Sequence, residues 1–398
     1  MCPDPCSFTS PLHYLSMSYD DAKAEYFSLL EKHIAPEFRK QTDIIKLLGT
    51  DLALGVFLPQ EWLGVNGMEP LVLKYKDTMP TRLKPPARNI NPKLYETSEK
   101  EFKRLRTYFY RPSHSAVASP LCIAFKATPP GVRFCGDYSH TVNPHMLTGH
   151  YPIPHVRQSL QKIIKFKIFL DFDLTNGFHQ FKLSDETSAL LSVQTPWGQF
   201  EPVFLPEGVP QGSGILQEAM MDVYSEFSDW AIVIFDNLLV LAHDMVDAYA
   251  KTKVILERSK ARNMVLKMKK TWLGFESVTF FGYECTYGSY KLGKERKDSI
   301  MAFVMPTSKK AMKRFLGCAG FFQPFMPNYS DLTCQLNDMS HDTFDWNPST
   351  WSVDYVKLFE EFKVAVLAAS ALFYPDYSLP WILRADASDF GVGHVLMQ

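Results

Sequence analysis

Two apolar runs in the middle of the chain each end on an acid, and that pairing constrains the fold more than any other feature. The run KFKIFLDFDLTNGFHQFKL, from Lys165, carries an apolar strand into Asp173 and then into the turn residues Thr175, Asn176 and Gly177. The run WAIVIFDNLLVLAH, from Trp230, reads as a strand, an interruption at Phe235-Asp236-Asn237, and a second strand. That is a tight hairpin with a carboxylate at its tip. A carboxylate at the end of an apolar strand is costly if it is buried without a partner. Strands of this kind laid side by side bring Asp173 and Asp236 to one sheet edge. Two carboxylates there supply the hard oxygen donors that a pair of Mg²⁺ ions about 4 Å apart requires. From spacing alone, an Asp that merely forms a turn is the competing reading. Asp171 lies two residues before Asp173, so it shares that face and competes as a ligand.

The flanking segments mix strands and helices, an α+β pattern. Residues 1–75 carry weak signals, with helices expected at 20–33 and 37–48. Four prolines in MPTRLKPPARNINPKLY argue for an extended arm over 80–96. A helix is expected from Thr97, with Ser98 as a candidate cap and Glu101 three residues on. Strand, turn and strand follow from Pro120 to Asp137, with Lys126 and Arg133 flanking the turn. Further helices are expected at 215–227, 244–263 (with Asp244 at its start), on both sides of Pro306 (Thr307 or Ser308 capping the second), and at 354–370. VTFFGYECT reads as one strand, and the C-terminal stretch as two short strands around an Asp-rich turn.

Lys and Arg number 42 against 43 Asp and Glu, which excludes a uniformly basic, histone-like protein but not a basic face. The charge is segregated. Residues 251–270 hold eight Lys or Arg and one acid, residues 291–314 eight against two, and residues 331–389 ten acids against three bases. Stripes of this kind fit a phosphate backbone, and equally the solvated faces of surface helices. The seven cysteines show no zinc spacing and are expected as reduced thiols of a cytosolic or nuclear protein. The longest apolar stretch, Trp230 to Ala242, is broken by Asp236 and Asn237, so no membrane span and no membrane partner are expected. The sequence says nothing of oligomeric state.

The segments YPIPHVRQSL, FLDFDLTNGFHQFKL, FLPEGVPQG, VIFDNLLVLAH, FFGYECTYG and FLGCAGFFQPFMPNYS together resemble, in order and spacing, the reverse transcriptase of gypsy-type LTR retrotransposons. LFYPDYSLPWILRADASDFGVGHVL resembles the start of the RNase H domain that follows in those polyproteins. The likeness covers roughly residues 80 to 398. It implies an α+β right-hand polymerase with fingers, palm and thumb, a ferredoxin-like palm sheet, and a truncated RNase H-like segment. The expected domains are a linker or extension over 1–75, fingers and palm over 76–290, a thumb or connection over 291–345, and a partial RNase H-like domain over 346–398. The implied activity is RNA-directed DNA polymerisation with two Mg²⁺ ions, Mn²⁺ being a substitute. The implied partners are an RNA or DNA template with its primer and deoxynucleoside triphosphates, in a cytoplasmic element particle or the nucleus.

By the same resemblance, Asp173 matches the first catalytic aspartate, and the Leu174 carbonyl assists the metal. Asp236 matches the first aspartate of the Tyr-x-Asp-Asp box. Phe178 matches the aromatic gate that excludes a ribose 2′-hydroxyl. Lys126 and Arg133 match the fingers pair that holds the incoming triphosphate. Gln211 matches the glutamine that packs on the nucleotide sugar. Lys269 or Lys270 lies where the family has a basic residue able to protonate pyrophosphate. The resemblance does not choose between them, and Lys270 is carried as the candidate.

Two departures stand out. The box reads Ile234-Phe235-Asp236-Asn237, so Asn237 keeps the size of a second carboxylate and loses its charge. A catalytically impaired fragment that only binds nucleic acid is therefore the alternative. Asp386 matches the first RNase H carboxylate, but its catalytic companions would lie past Gln398, so no RNase H activity is expected of this chain.

Overall fold

The computed structural model describes residues 11–398 apart from 13, 16, 77, 127–130, 148–150, 153–155, 164, 211, 327, 370, 374–377, 389 and 390. The chain divides into two compact units, Met1–His155 with Ile168–Phe275, and Val156–Lys167 with Glu276–Gln398.

The centre of the first unit is a four-stranded sheet. Its strands are β1 (Ile168–Asp173), β2 (Ala231–Ile234), β3 (Asn237–Ala242) and β4 (Trp272–Phe275), in the spatial order β4-β1-β3-β2, and every pair is antiparallel. Helix α1 (Gly212–Tyr224) lies between β1 and β2 in the chain, and α2 (Met245–Ala261) between β3 and β4. This βαββαβ order is the expected ferredoxin-like palm. Strand alternation explains the packing. Leu170 and Phe172 of β1 and Leu238 and Val240 of β3 point to one face and share a buried cluster with Leu216, Ala219, Met220 and Val223 of α1 and Ala248, Ile255 and Leu256 of α2. Each of the larger side chains (Leu, Ile, Val, Met and Phe) contributes about 1.5–3 kcal/mol by leaving water. Asp171, Asp173 and Asn237 take the opposite phase. Helix α2 begins where its cap predicts, with Asp244 Oδ1 accepting from the Asp247 N–H at 2.8 Å.

A five-stranded sheet runs Tyr110–Pro112, Gly198–Pro202, Val193–Thr195, Ser119–Phe125, Val132–Gly136 in spatial order. Its core is aromatic. Phe102 lies 5.0 Å from both the Trp197 and the Phe200 rings and 5.3 Å from Tyr110. The helix that supplies Phe102 spans Tyr95–Leu105, so Ser98 is not its cap but a fully buried interior residue whose hydroxyl finds no partner.

Residues 11–75 are not a loose extension. Helix Tyr19–His33 buries Tyr26 and Leu30, the segment expected as one helix over 37–48 breaks into Pro36–Gln41 and Ile44–Leu48, and Asp51–Phe57 adds a further helix. All contribute to the same core cluster. The Ala35 N–H donates to Leu273 O at 2.9 Å and His33 stacks on Trp272 at 4.1 Å, so this segment covers the open edge of β4.

In the second unit VTFFGYECT is a hairpin, not one strand. Ser277–Phe280 pairs with Tyr283–Thr286, which pairs with Ser289–Leu292, which pairs with Leu372–Phe373. Helices α3 (Lys294–Met301), α4 (Lys309–Ala319), α5 (Tyr329–Asp338) and α6 (Tyr355–Leu367) follow. Ser308 caps α4 and Asp354 caps α6 through their side chains. Phe315 of α4 meets Phe359 and Phe362 of α6 at 4.8 and 5.5 Å, and Lys363 donates to Phe303 O at 3.1 Å. Aromatic side chains far apart in sequence thus close this body. Beyond α6, Ile382–Ser388 and Gly391–Met397 form a two-stranded sheet of their own, with Asp386 exposed opposite Gly393.

Candidate active site

β1 and β3 register so that Asp173 stands directly across from Asn237. Side chains paired in this way share a face with Cβ atoms about 4.5–5.5 Å apart. Asp236 occupies the tip of the β2–β3 hairpin, one residue earlier. Its Cβ lies 3.5 Å from where a Cβ on Gly177 would stand, an ordinary van der Waals separation that sets the hairpin tip beside the turn after β1. The two carboxylates predicted to converge therefore do so.

Asp173 is only 8% exposed. Its Oδ2 accepts from Lys270 Nζ at 2.8 Å, while Oδ1 is buried with no hydrogen-bond partner. Burial, reinforced by the charge of Asp236 and opposed by Lys270, holds its carboxyl above the ordinary value. Asp171 is pushed further, to about 7, by burial and by Asp173. Such a site favours a cation. An orphaned carboxylate oxygen and a second carboxylate beside it are hard donors suited to Mg²⁺, which takes one or two carboxylates and completes its shell with water and phosphate. Among the described residues no group of three or more His, Cys, Asp or Glu is arranged to hold a metal by itself. The residues present thus fit an ion held jointly with a phosphate ligand.

The two lysines left open by the sequence meet different carboxylates. Lys270 faces Asp173, whereas Lys269 pairs with Glu25 at 3.5 Å. Lys267 is held below the usual lysine value by burial and then by Lys270, with Lys126 and Lys269 adding to it. Lys126 therefore lies within electrostatic range of the Asp173 cluster. Leu174 is buried, and its backbone bridges to Leu266. The Lys267 N–H there bonds the carbonyl of Asp173 at 2.8 Å. Phe178 packs beside Gly212, where an added Cβ would stand 3.2 Å from its ring. Gln211 lies outside the described residues. Arg133 is not free: it forks onto Glu207, with Nε donating to Oε2 at 2.6 Å and Nη2 to Oε1.

The basic stripe over 251–270 is also largely neutralised. Arg258 pairs with Glu226, Arg262 with Asp222, Lys251 with Asp247 and Lys253 with Glu257. The acids come from α1, the turn after it and α2 itself, which a count along one segment mostly omits.

Gln217 was missed by the sequence reading. It is fully buried on α1, its Oε1 accepts from the Phe235 N–H at 2.7 Å, and its Nε2 donates to Val233 O at 3.0 Å. Phe235 needs this support, because its φ of 53° is rare for a bulky residue. The available signal was a lone amide on the apolar face of ILQEAM.

A protein-family model described as reverse transcriptase (RNA-dependent DNA polymerase) matches residues 137–285, which include Asp173, Asp236 and Lys270 but not Lys126, Arg133 or Asp386. The chain is 24% identical over 263 residues to a retrovirus-related Pol polyprotein from transposon 297 of Drosophila melanogaster, covering 66% of this chain and 25% of that protein. It is 26% identical over 268 residues to the transposon Tf2-7 polyprotein of Schizosaccharomyces pombe, covering 67% and 20%. It therefore spans about a quarter or less of these two relatives. Among solved structures, a foamy viral protease-reverse transcriptase in complex with double-stranded DNA aligns with a TM-score of 0.82 at 20% identity, over 98% of this chain and 66% of that one. The same viral protein in complex with an RNA/DNA hybrid aligns with a TM-score of 0.75 at 19% identity, over 100% and 54%. At these identities the likeness shows the fold. The stretch that the reverse transcriptase family model matches contains both aspartates.

Proposed function

We propose that this chain is the polymerase part of a gypsy-type LTR retrotransposon polyprotein, adding deoxynucleotides to a primer 3′-end on an RNA or DNA template. The observation that carries the reading is the buried, unpartnered Oδ1 of Asp173 beside Asp236, a site that is incomplete without a cation. Asp173 and Asp236 would hold Mg²⁺, with the Leu174 carbonyl and the neutral Asn237 amide beside them. When bound, the ions supply the positive charge that activates the primer 3′-hydroxyl and stabilises the leaving pyrophosphate. Lys126 and Arg133 bind the triphosphate, the Phe178 ring excludes a 2′-hydroxyl, and Gln211 packs on the sugar. Lys270 carries the proton that pyrophosphate needs as it departs. The proposed place of action is the cytoplasm, in the element's particle. The Asp386 hairpin we read as related to the opening of an RNase H fold, with Asp386 the residue that matches its first carboxylate and that does not by itself make a two-metal site.

The test is primer extension on an RNA template with Mg²⁺ or Mn²⁺. Extension by the wild type is expected. Retained duplex binding with no extension would overturn the polymerase reading in favour of a nucleic-acid holder. Asn237→Asp should raise activity if the amide is a lesion, and alter only metal preference if it tunes the site.

A further inference from the structure

The hairpin strands Ser119–Phe125 and Val132–Gly136 register so that Ala124 faces Arg133, which puts Lys126 and Arg133 on one side of the ribbon. Lys126 remains exposed there, while the Arg133 guanidinium is held by the fork from Glu207. Glu207 is placed for this by its own loop. Gly208 adopts φ +97°, and a Cβ on it would stand 2.9 Å from Gly136 O, so the loop lies flush against the backbone of the strand that carries Arg133. Asn143 Nδ2 donates to Gly208 O at 3.1 Å and fixes the same turn. The Cys135 thiol, two residues from Arg133 on the same face, lies 3.6 Å from Glu207 Oε2.

A carboxylate forked onto a guanidinium uses the same paired N–H groups that would fork a phosphate. The two anions cannot occupy Arg133 together. We propose that Glu207 is a nucleotide-competing latch: its carboxylate holds Arg133 until an incoming triphosphate displaces it, and so sets the affinity for nucleotide. This rests on the reading of Arg133 as a triphosphate ligand. Arg133 is 59% exposed, so the ion pair is solvent-screened and weak. A polyanion can therefore displace it, and the competition should be worth severalfold in affinity rather than orders of magnitude.

The test uses the full chain, with inorganic tripolyphosphate as the calorimetric probe and nucleotide KM in primer extension as the second readout. Glu207→Gln should tighten tripolyphosphate binding three- to tenfold and lower the nucleotide KM by a similar factor. Glu207→Ala should act in the same direction, and the gain should vanish when Arg133→Ala is added. Unchanged or weaker binding in both Glu207 variants overturns the latch and makes Glu207 a support for Arg133. A gain that survives Arg133→Ala overturns it as well. A wild type that never extends a primer, with binding still tightened by Glu207→Gln, sinks the polymerase reading and leaves the latch standing.

Discussion

Among the described residues, two two-residue hairpin turns begin on a phenylalanine at positive φ. Phe235 has φ 53° between paired Ile234 and Asn237, and Phe281 has φ 48° between paired Phe280 and Tyr283. In the second turn Gly282 follows at φ 82°, which gives the doubly positive geometry that matches strand twist. Its carbonyl accepts from the Gly293 N–H at 3.0 Å. The first turn has Asp236 where the other has glycine, and only its first residue is left-handed, a position where glycine is normally wanted. Strain of this kind is on the order of 1–3 kcal/mol and persists only where the surroundings over-determine it. The Gln217 amide provides that constraint from inside the core. One turn is thus specified by its own residues, the other by a helix whose amide lies 18 positions earlier in the chain, and the second kind is the one that carries the carboxylate.

The comparison can be broken most sharply at its tips. Asp236→Ala should cut primer extension by about 10³-fold or more while leaving duplex binding near wild type, as measured by extension and filter binding. The matching change, Gly282→Ala, forces a Cβ into the left-handed region and against the Arg296 side chain. It should lower Tm by several degrees through a loss of about 1–2 kcal/mol, with kcat at 25 °C little altered. Gln217→Leu removes the bond to the Phe235 N–H in the strained turn and the one to Val233 O in β2. A loss of about 10- to 100-fold in kcat is expected, with a much smaller change in nucleotide KM. A proportional loss of both, or plain unfolding, would mean that the amide only fills the core.

Asp171 sharpens the electrostatic side. Its folded pKa of about 7 lies above the ordinary 3.8, so the folded state binds its proton more tightly than the unfolded chain does. The stability this contributes is present below about pH 4 and is lost as pH rises through about 7. Asp171→Asn should therefore be more stable than wild type at pH 8, by on the order of 3 kcal/mol, and show no gain at pH 4, in urea titrations with chelator present. The smallest effect is expected at Phe281→Asn, which installs the Asn-Gly pair that this turn type prefers. It should add about 0.5–1 kcal/mol and leave kinetics alone.

Much of this was legible in the sequence, for identifiable reasons. The palm strands announce themselves because apolar runs that end on Asp173 and Asp236 have few ways to be satisfied, and Asp244, Ser308 and Asp354 cap as local chemistry dictates. What could not be read depends on long-range closure. Glu207 lies 74 positions from Arg133, and nothing near either residue points to the other. Helix α6 joined the body of α4 because Phe315 fits Phe359 and Phe362, not through any mark in its own stretch. The break at Phe281-Gly282 was hidden because Phe-Phe-Gly reads as strand. The fold of residues 11–75 was obscured by helices of only five to seven residues, too short to show a period.

The order of strands in the first unit has a consequence for how the protein comes into being. β1 is made early, yet its neighbours β3 and β4 arrive only at residues 237 and 272. The bond between Asp173 and Lys270 spans 97 positions. During synthesis the Asp173 carboxylate would wait on a strand with neither neighbour until nearly all of the unit has been translated. Pairings of such separation close slowly. The pair of aspartates would then be among the last parts of its unit to come together, and a ribosome that stalled before residue 272 would leave β1 open to pairing with another chain.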